Sequence, residues 1–126
     1  MFKQKKHLGN SGESKAASFL IDNGYKILTK NYRTRLGEID IIAWDKDTIC
    51  FVEVKTRSTD KFGFPQEAIL ENKKRRIAKT ALLFLKEKKL LDRKARFDVI
   101  AITLQKDLPK IELIQNAFEL DAKYTY

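Results

Sequence analysis

A mixed α/β fold is predicted, a sheet flanked by helices in the order α-β-β-β-α-β with room for one more strand. Three observations predict it. Two runs rich in Ile, Val and Phe, Glu38–Trp44 and Ile49–Arg57, flank the turn-like Asp45-Lys46-Asp47-Thr48, as in a hairpin. From Gln66 to Leu91, apolar residues recur at three- and four-residue spacing, which marks an amphipathic helix. Phe97 to Leu104 is nearly continuous in apolar character, as a strand covered on both faces would be.

The remaining elements follow in chain order. Ala16, Ala17, Phe19, Leu20 and Ile21 form a helical stripe within Ser11–Asn23, and Gly24 is a natural stop. Tyr25–Arg33 reads as a strand. Ser58–Pro65, with Gly63 and Pro65, reads as a loop before the long helix. Ile111–Ile114 is a short last strand, and the chain from Asn116 a weakly structured tail. One domain over residues 1–126 is expected, with residues 1–8 and 119–126 as loose termini.

Composition narrows the class. Hydrophobic residues make up 43% and charged residues 34%, which suits a folded globular protein and not a disordered one. No apolar run is long enough to span a bilayer, and no apolar stretch follows the basic start, so a cytoplasmic protein without membrane association is expected. Cys50 is the only cysteine, which excludes an intramolecular disulfide. The formal charge of +9 is concentrated: between Glu71 and Arg96 stand eleven basic and three acidic residues. Such clustering is the footprint of a polyanion binder, although a solvated helix face has the same composition.

The hairpin register carries the chemical argument. Centred on Lys46-Asp47, it places Trp44 opposite Ile49, Ile42 opposite Phe51, Asp40 opposite Glu53, and Glu38 opposite Lys55. Side chains alternate along a strand, so these eight share one face; Ile39, Ile41, Ala43, Cys50, Val52 and Val54 make the other wholly apolar. Directly opposed residues have Cβ atoms about 5 Å apart. Two carboxylates that close repel by about 3 kcal/mol at an effective dielectric near 20. Either one keeps its proton or a cation lies between them. Mg²⁺ or Mn²⁺ fits, since such ions are held by one or two carboxylates with water and phosphate oxygens completing the shell. Lys55, two residues from Glu53 on the same face, can orient a water or act as a base if its pKa is depressed. These are parts for phosphodiester hydrolysis. The same charges also read as an ordinary half-exposed hairpin with a Glu38–Lys55 ion pair.

An acidic residue on one strand followed by Glu-x-Lys on the next resembles the PD-(D/E)xK nucleases of the restriction-endonuclease-like superfamily. Leu8-Gly9-Asn10-Ser11-Gly12-Glu13, Asn31-Tyr32-Arg33, Gly37 to Ala43, Phe51 to Arg57 and Arg96-Phe97-Asp98-Val99 resemble more specifically the bacterial YraN family, whose small members are similar to archaeal Holliday-junction resolvases. The resemblance spans Leu8 to Phe118. It implies a restriction-endonuclease-like core, Asp40 and Glu53 as metal ligands, Lys55 as the catalytic lysine, and Glu13 as a further ligand from the first helix. Glu13 equally closes a capping box with Asn10 as N-cap. Glu38 ranks below it as a site residue or a partner of Lys55. Gln66 matches a polar residue that some superfamily members place near the metal, and also suits a helix start. Ile39 departs from the proline that many members have before the aspartate.

Lys73, Lys74, Arg75, Arg76 and Arg57 are the candidate nucleic-acid contacts, with Arg33 and Arg35 as additions; such residues position the phosphate backbone without reading sequence. Trp44 is expected to pack in the hairpin, and His7 receives no role. The expected function is a metal-dependent endonuclease acting on DNA, branched or structured forms included. The alternatives are a non-catalytic nucleic-acid-binding module on the same scaffold and an adaptor that docks its basic helix on an acidic protein. A homodimer is compatible with the sequence but not indicated by it.

Overall fold

The computed structural model describes residues 2–58, 71–104 and 108–119, with residues 2–11 described by backbone alone. The elements are α1 (Phe2–Asp22), β1 (Lys26–Arg33), β2 (Glu38–Asp45), β3 (Thr48–Arg57), α2 (Glu71–Glu87), β4 (Lys94–Thr103) and β5 (Lys110–Phe118). The strands form one sheet in the order β1-β2-β3-β4-β5. β3 and β4 are parallel and the other neighbours antiparallel. The parallel pair needs a crossover connection, and α2 lies within it. This is the mixed α-β-β-β-α-β core expected, with β5 added at the edge. No helix among the described residues is long and apolar enough to cross a membrane.

The predicted register is present: Ile42 pairs with Phe51 and Trp44 with Ile49. Alternation then divides the core between the sheet's two faces. Ile41, Ala43, Cys50, Val52, Ile100 and Ile102 meet Ala16, Ala17 and Leu20 of α1. Ile42, Ile49, Phe51, Phe97 and Val99 meet Ile77, Ala78, Ala81, Phe84 and Leu85 of α2. Trp44 packs against the second cluster, as expected for a hairpin residue.

Ile39 corrects the expected pattern. Strict alternation groups it with Ile41 and Ala43 on the α1 side, but it is buried in the α2 cluster. The break falls at Asp40. In the neighbouring strand Asn31, between the pairs Lys30↔Ile41 and Tyr32↔Ile39, takes a left-handed φ of 55°. Tyr32 thereby reaches α2, with its ring edge-on to Phe84 at 5.2 Å, and Ile39 goes with it. A single left-handed residue changes which side of a strand its neighbours face, and periodicity does not reveal it.

Element ends differ for identifiable reasons. α1 runs from Phe2 through the expected loose N-terminus, so Asn10 is inside the helix and cannot be its N-cap. Lys-Gln-Lys-Lys are good helix formers, which favours this extension. α2 ends at Glu87 and not Leu91: Lys89 is left-handed (φ 57°), and Leu90 N–H returns to the Leu85 carbonyl at 2.7 Å, a helix-terminating turn. β5 is longer than expected because Phe118 stacks on Phe97 with centroids 4.6 Å apart, anchoring a segment that looks weak by composition. The expected start of the long helix at Gln66, most of the Ser58–Pro65 loop and most of the C-terminal tail lie outside the described residues.

A polar network centred on Asp98, in register with Val52 and Ile41, reaches toward the hairpin and ties the strands together. Asp98, fully buried, accepts from Arg96 Nε at 2.9 and 3.1 Å and from the Asn116 N–H at 2.9 Å. Arg96 also donates to Asp45 (2.8 Å) and to the Tyr25 hydroxyl (2.7 Å), which Gln115 reaches at 2.9 Å. Each charge here has partners of suitable geometry, as a buried ion pair requires.

Candidate functional site

The end of β2 and β3 away from the hairpin turn holds the acids. The β2–β3 ladder runs from Asp45↔Thr48 to Ile41↔Val52, one step short of the expected Asp40–Glu53 pair. The Asp40 Oδ2 instead accepts a hydrogen bond from the Val54 N–H at 2.8 Å. A side chain thus satisfies a backbone donor that a continued ladder would have used, which also fixes the carboxylate's orientation. Glu53, two residues beyond Phe51 on β3, is buried, with its side chain 9% exposed.

Lys73 of α2 reaches across to this carboxylate and forms an ion pair with Glu53 Oε1. Its assignment as a phosphate contact alone needs correction, since it belongs to the acidic cluster. Lys55 lies beside Lys73 and feels the charge of the same carboxylate. Burial lowers the Lys55 ammonium pKa, and the adjacent Lys73 charge lowers it further, against the pull of Glu53 and Asp40. Burial also works against the charge of Lys73, but its hydrogen bond to Glu53 and that carboxylate's charge prevail, so its pKa is raised. The two lysines therefore diverge, the Lys73 pKa raised and the Lys55 pKa lowered.

Burial pushes the Asp40 carboxyl up to about 7; the Glu53 charge adds to the rise, the Val54 N–H opposes it, and Glu13 raises it again. The Glu13 charge thus acts on Asp40 from α1, although no three-acid group that would make Glu13 a metal ligand is gathered among the described residues. Close approach of α1 at this end depends on Gly12: a Cβ there would stand 2.8 Å from Thr56 Oγ1. With α1 continuous through Asn10, Glu13 is an interior helical residue and does not close a capping box.

The donor chemistry fits a hard divalent cation. Two carboxylates close enough to raise a pKa are better satisfied by an ion than by each other. Among the described residues, no group of three or more His, Cys, Asp or Glu is gathered to hold a metal by itself. Asp40 and Glu53 would therefore share the ion with water and phosphate oxygens, the usual mode for Mg²⁺.

Other expected residues separate from this cluster. Glu38 turns to Arg33, at 3.1 Å, and not to Lys55. These two are backbone partners across β1 and β2, a shorter route than any across the parted end of the hairpin. Lys74 pairs with Glu71 at 3.4 Å and lies 5.8 Å from the Phe118 ring centroid. Arg75 and Arg76 are exposed on α2, open to a polyanion. Arg57 is half-buried at the end of β3, where its carbonyl accepts from the Leu104 N–H at 2.7 Å. Gln66 lies outside the described residues. Sequence reasoning missed the place of Lys73 within the site; four consecutive basic residues carry no local mark of which one turns inward.

Comparison with known proteins bears on identity. The chain is 52% identical over 117 residues to a UPF0102 protein of Syntrophus aciditrophicus, covering 93% of this chain and 92% of the relative. It is 53% identical over 115 residues to one of Geobacter metallireducens (91% and 94% covered) and 47% identical over 116 residues to one of Caldicellulosiruptor saccharolyticus (90% and 98% covered). The model of Uncharacterised protein family UPF0102 matches residues 12–102, from the close-approach glycine of α1 to the last residue but one of β4. The chain belongs to that family, the YraN family its motifs resemble.

Proposed function

We propose that this protein is a metal-dependent endonuclease that hydrolyses phosphodiester bonds of DNA, with branched or structured DNA among its substrates. The observation that carries this reading is the gathering of Asp40, Glu53 and Lys55 at one end of β2 and β3, with the Asp40 carboxyl raised to about 7 by burial and by Glu53. Structural charges are normally arranged to satisfy one another; strongly perturbed, mutually opposed ones mark working sites.

Asp40 and Glu53 would hold Mg²⁺ or Mn²⁺, with Glu13 behind them, and the ion would supply Lewis acidity toward the scissile phosphate. The Val54 N–H keeps the Asp40 carboxylate aimed as β2 and β3 separate. Lys55 Nζ, its pKa lowered by burial, would accept a proton from the attacking water in its neutral form and, once protonated, offset charge on the phosphoryl oxygens. Arg75 and Arg76 hold the phosphate backbone on the α2 side.

The test is cleavage of linear, nicked, flapped and four-way DNA by purified protein with Mg²⁺ or Mn²⁺. Wild type is expected to cut at least one substrate; Lys55→Ala and Asp40→Asn, with unchanged circular dichroism, are expected to lose at least 100-fold in rate, about 2.7 kcal/mol. Intact DNA throughout overturns the catalytic reading. The Glu53–Lys73 ion pair favours a second one, a nucleic-acid-binding module without turnover, because it leaves Glu53 already neutralised. In that case removing the Asp40 and Glu53 charges leaves DNA affinity unchanged or higher.

A further inference from the structure

Lys73 stands third in α2, beside residues that point to solvent, yet its ammonium is committed to a carboxylate that is 9% exposed. The pairing solves one problem: a buried Glu53 charge without a cation would be costly. It creates another, because a divalent ion on Glu53 would face an ammonium already in contact with the same group. Like charges do not share that position without loss. The lysine's long, flexible stem allows it to leave, and the adjoining turn of α2 carries Arg75 and Arg76.

We propose that Lys73 is a built-in counter-ion of the acidic pair, which a divalent cation displaces as the site loads, and that the displaced ammonium then takes a phosphate of the nucleic-acid backbone. This rests on the divalent-ion reading of Asp40 and Glu53 and adds regulation to it. Lys73 lowers the affinity for the cation when nucleic acid is absent. Cation and polyanion then strengthen each other's binding, since each favours the state in which Lys73 has left Glu53; such coupling is reciprocal. The site would load fully when DNA is present and remain neutralised when it is not.

The experiment is a Mn²⁺ titration of the full chain without nucleic acid, read by the electron paramagnetic resonance signal of free Mn²⁺. Lys73→Met is expected to bind Mn²⁺ more tightly than wild type by on the order of tenfold, the effect of removing one positive charge beside a divalent ion in a partly screened site. Lys73→Arg, which keeps the charge, should remain near wild type. Lys86→Met, which removes the same formal charge from the exposed last turn of α2, should change affinity by less than about twofold, since exposed charges at that distance are screened. Equal or weaker Mn²⁺ binding by Lys73→Met, or an equal gain in Lys86→Met, overturns the counter-ion role and leaves the divalent site intact. Absence of Mn²⁺ binding in every protein, Lys73→Met included, removes the divalent site itself and the counter-ion role with it.

Discussion

Two acids of the same sheet, the buried Asp98 and the half-buried Asp40, stand one register step apart, and they are treated differently. Asp98 is fully buried and surrounded by donors: the Arg96 guanidinium, the Asn116 N–H and the Tyr25 hydroxyl. Asp40 is half-buried, with one backbone donor and the charges of Glu53 and Glu13 set against that of Lys73. The first arrangement holds strands together. The second is less stable than it could be, and such a cost is expected where a site awaits a ligand. Satisfaction of charge, more than position along the sheet, thus separates these two acids.

The comparison can be broken most forcefully at Asp98. Asp98→Ala leaves Arg96 partly buried among groups arranged for an ion pair, and the expected loss is about 3–5 kcal/mol, read by urea denaturation. A loss under about 1 kcal/mol would show that the network contributes little and that the contrast between the two acids is false.

Asp40→Asn should have the opposite sign. The folded protein holds a proton on Asp40 up to about pH 7, whereas the unfolded chain releases it near the ordinary value of 3.8. Between these values the folded state binds more protons, so metal-free stability falls as pH rises through that window. Asparagine keeps an acceptor for the Val54 N–H and removes the charge. It should stabilise the metal-free protein at pH 8 by on the order of 2 kcal/mol and flatten the pH dependence between 4 and 7. Thermal melts at several pH values without divalent ions would measure both; a destabilised Asp40→Asn with the slope intact would mean that Asp40 is satisfied after all.

The smallest effect on stability is expected on α2. Replacing exposed Arg75 and Arg76 together with Ala should change folding stability by no more than about 0.5 kcal/mol per site. It should lower the magnitude of the salt-dependence slope for duplex DNA binding by about 2, because two phosphate contacts disappear. An unchanged slope would move the polyanion surface elsewhere.

Much of this molecule was legible without coordinates. The β2–β3 register, the apolar α1 face and the buried character of β4 rest on two-residue alternation. Helix α2 rests on its apolar repeat. Both are local patterns, and tertiary packing strengthened them. The candidate acids were legible for the same reason, since a hairpin register relates positions only a few residues from the turn.

The rest depended on contacts that no local pattern encodes. Tyr25 meets Asp98 across 73 positions, Lys73 instead of Arg75 turns toward Glu53, and left-handed Asn31 accompanies Ile39's move to the α2 side. Alone, the sequence determined which residues could share a face, because strand and helix geometry are periodic. Which charges meet was decided by folding, because ion pairs form between side chains that the sheet and its two helices bring together from distant parts of the chain.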